Sequence, residues 1–150
     1  PDLVFTNINY GNVNLWGLDG SIFIFLNKDL SANISFSYLG KTHFYNYLTR
    51  ENDPINAPEY KLNGTFTYMP DLGINWNFGM RYIPTFDWAA GVHYGTIQTY
   101  TVFDAALGYN FNGNYGVLFN VNNLNNDVHN EIIGGPKLGR HFTLKFTTRF

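Results

Sequence analysis

Apolar and polar side chains alternate along several separate segments of about ten residues. In the segment LSANISFSYL, residues 30–39, the even positions are apolar, and the odd positions up to 37 are serine or asparagine. The same period of two recurs in EYKLNGTFTY (59–68), LGINWNFGMRY (72–82) and HFTLKFTTRF (141–150). A period of two sorts side chains onto opposite faces of a β-strand, whereas an α-helix needs a period of about 3.6. The chain is therefore predicted to be all-β.

The composition combines little charge with many aromatic side chains. Charged residues make up 13% and aromatic residues 19% of the 150 residues, whereas soluble globular domains carry about 25% charged residues. No run in the sequence approaches the roughly 20 apolar residues of a membrane helix, and the mean hydropathy is -0.19. This combination is typical of a transmembrane β-barrel, because its strands alternate lipid-facing and lumen-facing residues and so average out in hydropathy.

The composition also argues against several functional classes. A net charge of -2 provides no electrostatic footprint for nucleic acid, so no nucleic-acid partner is predicted. The absence of cysteine excludes a disulfide scaffold and thiolate metal sites. The opening PDLVFTNINY lacks the basic and apolar regions of a signal peptide. Pro1 is therefore expected to begin a processed chain or a fragment of a longer one.

The alternation predicts about eight antiparallel strands, at 3–9, 13–25, 30–40, 57–69, 72–83, 97–111, 115–124 and 140–150. Short turns rich in Asn, Asp, Gly or Pro follow every second strand, at 26–29, 70–71 and 112–114. Long connections occupy 41–56, 84–96 and 125–139, and a tight link occupies 10–12. Outer-membrane barrels have short periplasmic turns and long extracellular loops. The connections therefore predict a transmembrane antiparallel β-barrel segment whose long loops are extracellular.

The two faces of the predicted strands differ in kind. Aromatic rings lie where strands are expected to cross the membrane interface, at Tyr38, Tyr60, Tyr68, Tyr82, Tyr100, Tyr109, Phe111 and Tyr115. The inward positions are mostly small, neutral and hydrogen-bonding: Ser31, Asn33, Ser35, Ser37, Asn63, Thr65, Thr67, Asn75, Asn77 and Gly79. An eight-stranded barrel must fill its own interior with side chains, so these residues favour an arc of a wide barrel. A complete eight-stranded barrel with a structural or adhesion role, and a soluble β-sandwich or barrel, remain alternatives.

Five motifs in order along the chain resemble the barrel of TonB-dependent receptors. TNINYGNVNLWGLD contains Gly17, Leu18 and Asp19, and NAPEYKLNGTFTY contains Ala57 and Pro58. The later three are YTVFDAALGYNF (Asp104, Tyr109), NVNNLNND (Asn123, Leu124) and GGPKLGRHFTLKFTTRF (Gly139, Arg140, Phe150). The fourth departs from the family pattern, because Asn125 stands where the family usually has an aromatic residue. The high content of Asn and Tyr is similar to that of receptors from Bacteroidota-type bacteria.

The resemblance implies that residues 1–150 are the C-terminal portion of a barrel of about 22 strands, without its plug domain. It further implies a place in the outer membrane of a Gram-negative bacterium and active uptake of a siderophore, cobalamin, a glycan or a peptide. The implied partners are outer-membrane lipid, the remainder of the barrel, the plug domain, the TonB complex acting through that plug, and the barrel-assembly machinery. No cofactor is implied.

The candidate ligand-binding residues are aromatic, histidine and arginine side chains in the predicted extracellular loops: His43, Tyr45, Tyr47, Arg50, Trp88, His93 and Tyr94. An ordinary amphipathic loop surface explains the same residues, since loops carry function only as a general tendency. The sequence has no GxSxG elbow, no HExxH pair and no calcium loop with DxDxDG spacing. No catalytic residue and no metal site are therefore predicted, and the chain is not expected to be an enzyme.

The last strand carries the remaining prediction. Its alternating apolar side chains end on an aromatic residue, a pattern that resembles the assembly signal of outer-membrane barrels: Phe142, Leu144, Phe146 and Phe150. These side chains are expected to face lipid, whereas His141, Lys145 and Arg149 are expected to face water in the lumen. Phe150 is accordingly expected to be the natural C-terminus.

Overall fold

The computed structural model describes residues 13–112 and 114–148, which form β-strands and connections without a helix. The strands are β1 (Gly17–Phe25), β2 (Leu30–Leu39), β3 (His43–Asn46), β4 (Glu51–Pro54), β5 (Tyr60–Tyr68), β6 (Gly73–Ile83), β7 (Phe86–Ala90), β8 (His93–Ile97), β9 (Tyr100–Asn110), β10 (Tyr115–Asn122) and β11 (His141–Thr148). Within these described ranges, nothing helical is long and apolar enough to cross a membrane.

The long strands form one antiparallel sheet of seven strands within the described residues. Its spatial order is β1-β2-β5-β6-β9-β10-β11, so each long strand pairs with the next long strand along the chain. This is the up-and-down order of membrane barrels. The predicted all-β, antiparallel fold class is confirmed. The described sheet is an open arc, with β1 and β11 at its two edges.

The strand register sorts the side chains onto two faces. Phe66 of β5 stands between Ala32 of β2 and Phe78 of β6, whereas Asn77 pairs with Thr67 and donates a hydrogen bond to its hydroxyl at 2.7 Å. The register brings large apolar side chains of the seven strands onto one face, among them Ile22, Ile34, Phe66, Ile74, Phe78, Leu107, Phe119, Phe142, Leu144 and Phe146. These ten side chains are exposed, so within the described residues this apolar face is not covered by a protein core.

The predicted strand bounds agree with the long strands to within a few residues. The largest differences fall at the starts of β1, β5 and β9, where the predictions begin at 13, 57 and 97 and the strands begin at Gly17, Tyr60 and Tyr100. The predicted strand 3–9, the link 10–12, Gly113 and Phe150 lie outside the described residues.

Two predicted loops contain β-hairpins instead of irregular chain. β3 pairs with β4 inside the predicted loop 41–56, and β7 pairs with β8 across the predicted loop 84–96. The prediction that a single strand begins at 97 is therefore wrong, because Ile97 ends β8 and pairs with Phe86. Positive φ angles at the hairpin turns, 61° at Arg50 and 60° at Gly91, allow the chain to reverse.

Asparagine side chains close two of the short turns of the sheet. Oδ1 of Asn27 accepts hydrogen bonds from the backbone N–H groups of Asp29 and Leu30, both at 2.9 Å. Oδ1 of Asn112 accepts in the same way from the N–H group of Tyr115 at 3.2 Å. An Asx turn of this kind satisfies backbone donors that the strands leave unpaired. The predicted turns at 26–29 and 112–114 are thus explained by their asparagines.

Candidate functional site

The three long connections meet at one end of the sheet, here called the long-loop end. Two of them contribute the hairpins β3–β4 and β7–β8, and the third, residues 123–139, is called the inner loop. Asn56 ties the two hairpins together, because its amide donates to the carbonyl of Ala89 at 2.9 Å and accepts from the Ala89 N–H at 2.8 Å. His43 Nε2 adds a contact with Asp87 Oδ2 at 3.4 Å. The hairpins therefore form one connected surface.

Four of the predicted ligand-binding residues belong to the first hairpin. His43 and Tyr45 lie in β3, and Tyr47 and Arg50 lie in the turn that follows it. The rings of Tyr45 and Tyr47 meet edge to face with centroids 5.2 Å apart, and both side chains are exposed. The arrangement offers two accessible aromatic rings with an exposed guanidinium nearby in sequence, whereas His43 is engaged with Asp87.

The other three predicted residues lie in the second hairpin and have different surroundings. Trp88 packs against the buried cluster of Ile97, Tyr100 and Val102, so its ring supports the hairpin. The ring of His93 packs over Gly134, where an added Cβ atom would lie 2.7 Å from Nδ1. Tyr94 is largely exposed. The structure therefore does not gather the seven predicted residues at one point.

An open cleft of about 600 Å³ lies between the two hairpins and the chain that precedes β1. Tyr94 is the one predicted residue that lines it. The other lining residues are Val13, Leu15, Phe44, Glu51, Asp53, Pro54, Ile55, Asn56, Ala89 and Gly91. The walls mix apolar side chains with carboxylate and amide groups, which suits a ligand that combines apolar and hydrogen-bonding groups.

The inner loop folds back over the polar face of the sheet. Val102 points to that face from β9, yet it is only 1% exposed, because Ile97, Tyr100 and Ile133 pack around it. The Ile133 side chain also packs against Gly95, where an added Cβ atom would lie 3.2 Å from it. The sequence predicted a long extracellular loop at 125–139, and within it Ile133 packs on the strand face and against Gly95 of β8.

An asparagine turn at the start of the inner loop fixes this path. Asn123 adopts a φ of 57°, and its buried side chain bonds both the N–H and the carbonyl of Asp127, at 2.9 and 2.8 Å. Its own N–H donates to Oδ1 of Asp104 at 2.9 Å. Asn125 then bonds the backbone of β9 as a neighbouring strand would. Its side-chain oxygen accepts from the Phe103 N–H at 3.1 Å, and its side-chain NH2 group donates to the Thr101 carbonyl at 2.7 Å.

Charged groups cluster where the inner loop meets the sheet. Arg81 of β6 lies 3.7 Å from a carboxylate oxygen of Asp104 and 3.8 Å from one of Glu131. Glu131 lies 3.7 Å from Nε2 of His129, whose ring stacks on Tyr100 with centroids 3.9 Å apart. The alternation along β6 and β9 puts Arg81 and Asp104 on the polar face, whereas no pattern in the sequence brings Glu131 and His129 to them. The signal for these two was weak, because their partners lie about 30 to 50 positions earlier in the chain.

The rest of the polar face carries mostly neutral side chains that bond one another, with the charged residues Asp19, Lys61 and Lys145 among them. Asn33 donates to the Ser21 hydroxyl at 2.9 Å, and Asn63 donates to the Ser35 hydroxyl at 3.4 Å. Such cross-strand bonds satisfy polar groups on a wall that has few charges. Among residues 13–112 and 114–148, no group of three or more His, Asp or Glu side chains is arranged to hold a metal ion. The face therefore offers hydrogen bonds and water contacts along its length.

Three comparisons with known proteins bear on this arrangement. The family model described as "TonB dependent receptor-like, beta-barrel" matches residues 1–124. No curated protein sequence matches the chain. The structure is similar to the siderophore receptor PiuA from Acinetobacter baumannii, with a TM-score of 0.68 and 16% identity over 89% of this chain and 21% of that one. It is also similar to a variant of the ferric enterobactin receptor PfeA from Pseudomonas aeruginosa in complex with enterobactin, with a TM-score of 0.67 and 15% identity over 88% of this chain and 22% of that one.

Proposed function

Because the chain belongs to the family of TonB-dependent receptor-like β-barrels, we propose that it forms an arc of the barrel wall of an outer-membrane receptor for a scarce nutrient. The observation that carries this proposal is the two-faced sheet, whose apolar side chains share one face while small polar residues share the other. The chain spans about a fifth of the length of the two receptors that it resembles. Uptake is therefore assigned to a whole receptor, in which this segment supplies wall and loops.

In this proposal the apolar face borders outer-membrane lipid and the polar face borders the lumen. The long-loop end is extracellular and the short turns are periplasmic, as in outer-membrane barrels generally. The remainder of the barrel completes the wall, and a plug domain occupies the lumen. The TonB complex acts through that plug, and the barrel-assembly machinery recognises β11. An origin in Bacteroidota-type bacteria stays a prediction.

The ligand contacts are proposed at the two hairpins. Tyr45, Tyr47 and Tyr94 present exposed rings, and Tyr94 lines the cleft together with Asp53 and Asn56. Rings and amide groups bind ligands that are partly apolar and partly hydrogen-bonding. The candidate nutrients are a siderophore, cobalamin, a glycan or a peptide. A siderophore is the first to test, since both similar structures are siderophore receptors.

Uptake by the intact receptor tests the function. Cells that depend on the receptor for a ferric siderophore are expected to stop growing when the hairpin β3–β4 is replaced by a short Gly-Ser linker. A matched variant with the same linker in the turn 26–29 should keep growing. Loss of receptor from the membrane in both variants would mean that the hairpin result reflects folding, so receptor abundance is measured in parallel.

A second experiment tests whether the segment is one arc of a larger barrel. Residues 1–150 expressed alone are expected not to form a compact, heat-modifiable monomer in detergent, because lipid tolerates no open sheet edge. A compact barrel from these residues alone would favour the eight-stranded alternative, with its structural or adhesion role.

A further inference from the structure

The cleft between the two hairpins carries two carboxylates on one wall. Glu51 and Asp53 of β4 both line it. The two residues are separated by one position and lie opposite Asn46 and Phe44 of β3, so their side chains leave the hairpin on the same face. Asp53 is held there by Asn46, whose side-chain NH2 group donates to Oδ2 at 2.6 Å. That bond fixes the position of the carboxylate and leaves its charge uncancelled.

No basic side chain balances these carboxylates in the part of the chain that the structure describes. None of the described residues that line the cleft is Lys, Arg or His, and Arg50, beside Glu51 in the turn, is not among them. Neither carboxylate takes part in an ion pair with another described residue. Residues 1–12 of the sequence, which precede the cleft-lining Val13, also contain no basic side chain. The cleft therefore presents negative charge to a ligand.

Apolar and aromatic side chains lie beside the carboxylates. Val13 and Leu15 line the cleft from the chain that precedes β1, Phe44 from the first hairpin and Tyr94 from the second. Aromatic faces attract cations, and apolar surface binds the hydrocarbon part of a ligand. A ligand of negative charge would meet like charges here, and such a juxtaposition is unfavourable. The walls thus favour one sign of charge together with apolar contact.

We propose that the cleft binds a positively charged group of the nutrient, such as an ammonium group, together with the apolar part that carries it. The inference rests on the proposed function, in which this cleft contacts the ligand, and it adds the chemical class of that ligand. Glu51 and Asp53 set the preference for positive charge, and Tyr94 supplies an exposed ring. The same two carboxylates select against a nutrient of negative charge.

Thiol labelling of the intact receptor in detergent measures this preference directly. The 150 residues contain no cysteine, and any cysteine elsewhere in the receptor is first replaced by serine. A single thiol is introduced by Tyr94→Cys in the cleft, or by Val92→Cys at the exposed turn of the same hairpin. Each variant is labelled with two methanethiosulfonate reagents, one carrying a trimethylammonium group and the other a sulfonate group. Because both rates refer to the same thiol, their ratio reports the sign of the local potential, and the exposure of the thiol cancels.

The expected ratio depends on salt. In about 0.01 M salt, where charges act over about 30 Å, the ratio of the cationic to the anionic rate should be about three- to tenfold higher for Tyr94→Cys than for Val92→Cys. In about 1 M salt, where that distance falls to about 3 Å, the two ratios should converge.

Matched variants assign the preference to the two carboxylates. Glu51→Gln and Asp53→Asn together keep the shape of the wall and a hydrogen-bond acceptor at position 53, and they should bring the ratio for Tyr94→Cys close to that for Val92→Cys. Glu59→Gln, which removes an exposed carboxylate outside the cleft, should leave most of the ratio in place. Equal ratios at the two labelled positions at low salt would overturn the proposal, and so would a high ratio that survives the loss of both carboxylates. Either result would leave uptake by the receptor standing, whereas a failure of uptake would leave the labelling ratio unchanged.

Discussion

Asn123 is the residue whose replacement tests the inner-loop geometry most directly. Its side chain makes both hydrogen bonds that close the turn onto Asp127, and its φ of 57° lies in the left-handed region. Asparagine tolerates that region better than alanine does, and glycine tolerates it best. Replacement by alanine therefore removes the bonds and strains the backbone, whereas replacement by glycine removes only the bonds.

The expected magnitudes follow from these two contributions. Two buried hydrogen bonds stabilise by about 1 kcal/mol each, and a left-handed conformation costs a residue with a Cβ atom about 1 to 2 kcal/mol. Asn123→Ala should therefore destabilise the closed inner loop by about 3 kcal/mol, and Asn123→Gly by about 2 kcal/mol. The first value corresponds to a loss of protection on the order of 100-fold, the second to a loss several-fold smaller.

Hydrogen exchange at two backbone groups measures the change. Leu124 N–H bonds the carbonyl of Phe103 at 2.6 Å, and Leu138 N–H bonds that of His129 at 2.7 Å. Both should exchange faster in each variant, while amides in the middle of β6 keep their native protection. Unchanged protection at Leu138 in the Asn123→Ala variant would refute the turn as an anchor. Protection lower in the glycine variant than in the alanine variant would refute the backbone contribution.

Three further predictions concern the faces and the loops. Phe78→Arg, on the apolar face, should lower the free energy of unfolding of the intact barrel by about 2 to 4 kcal/mol, measured by urea-dependent folding into lipid vesicles. Asn77→Arg, on the polar face, should lower it much less. Equal losses would contradict the assignment of faces. Val102→Ala should destabilise the inner loop by about 2 kcal/mol in hydrogen exchange, while Val92→Ala, at a solvent-exposed site, should have no effect. Tyr94→Ala should weaken ligand binding to the intact receptor several-fold in a titration, and Tyr94→Phe should weaken it less; full affinity in the alanine variant would remove the cleft from the ligand site.

The sequence alone predicts the long strands because their alternation is local. Each run of about ten residues identifies its own faces, and the prediction for β2 at 30–40 differs from Leu30–Leu39 by one residue. The short hairpins escaped detection because four or five residues hold too little alternation to distinguish a strand from a loop. One of their turns also depends on a positive φ at Arg50. Arginine rarely adopts a positive φ, so the sequence does not indicate this turn.

The inner loop was unpredictable for a different reason. Asn125 bonds Thr101 and Phe103 across 24 and 22 positions of sequence, and His129 stacks on Tyr100 across a similar distance. The Asn-rich stretch has the composition of a polar loop. Its hydrogen-bonding partners are backbone groups, which the residue types in the sequence do not reveal. The candidate residues of the hairpins could be found by type and place, whereas the charged cluster required the fold.

The exceptions to the alternation carry information of their own. Apolar side chains on the polar face of a lumen wall should be rare, since water or polar groups face them. Val102 is such an exception, and it is buried in a cluster with Ile97 and Tyr100, against which Ile133 of the inner loop packs. Phe23 and Phe25 are two more, at the short-turn end of β1, and within the described residues they stay 58% and 77% exposed with their rings 5.1 Å apart. The regular positions of the strands therefore identify the two faces, and the irregular position Val102 identifies where the inner loop packs on the polar face.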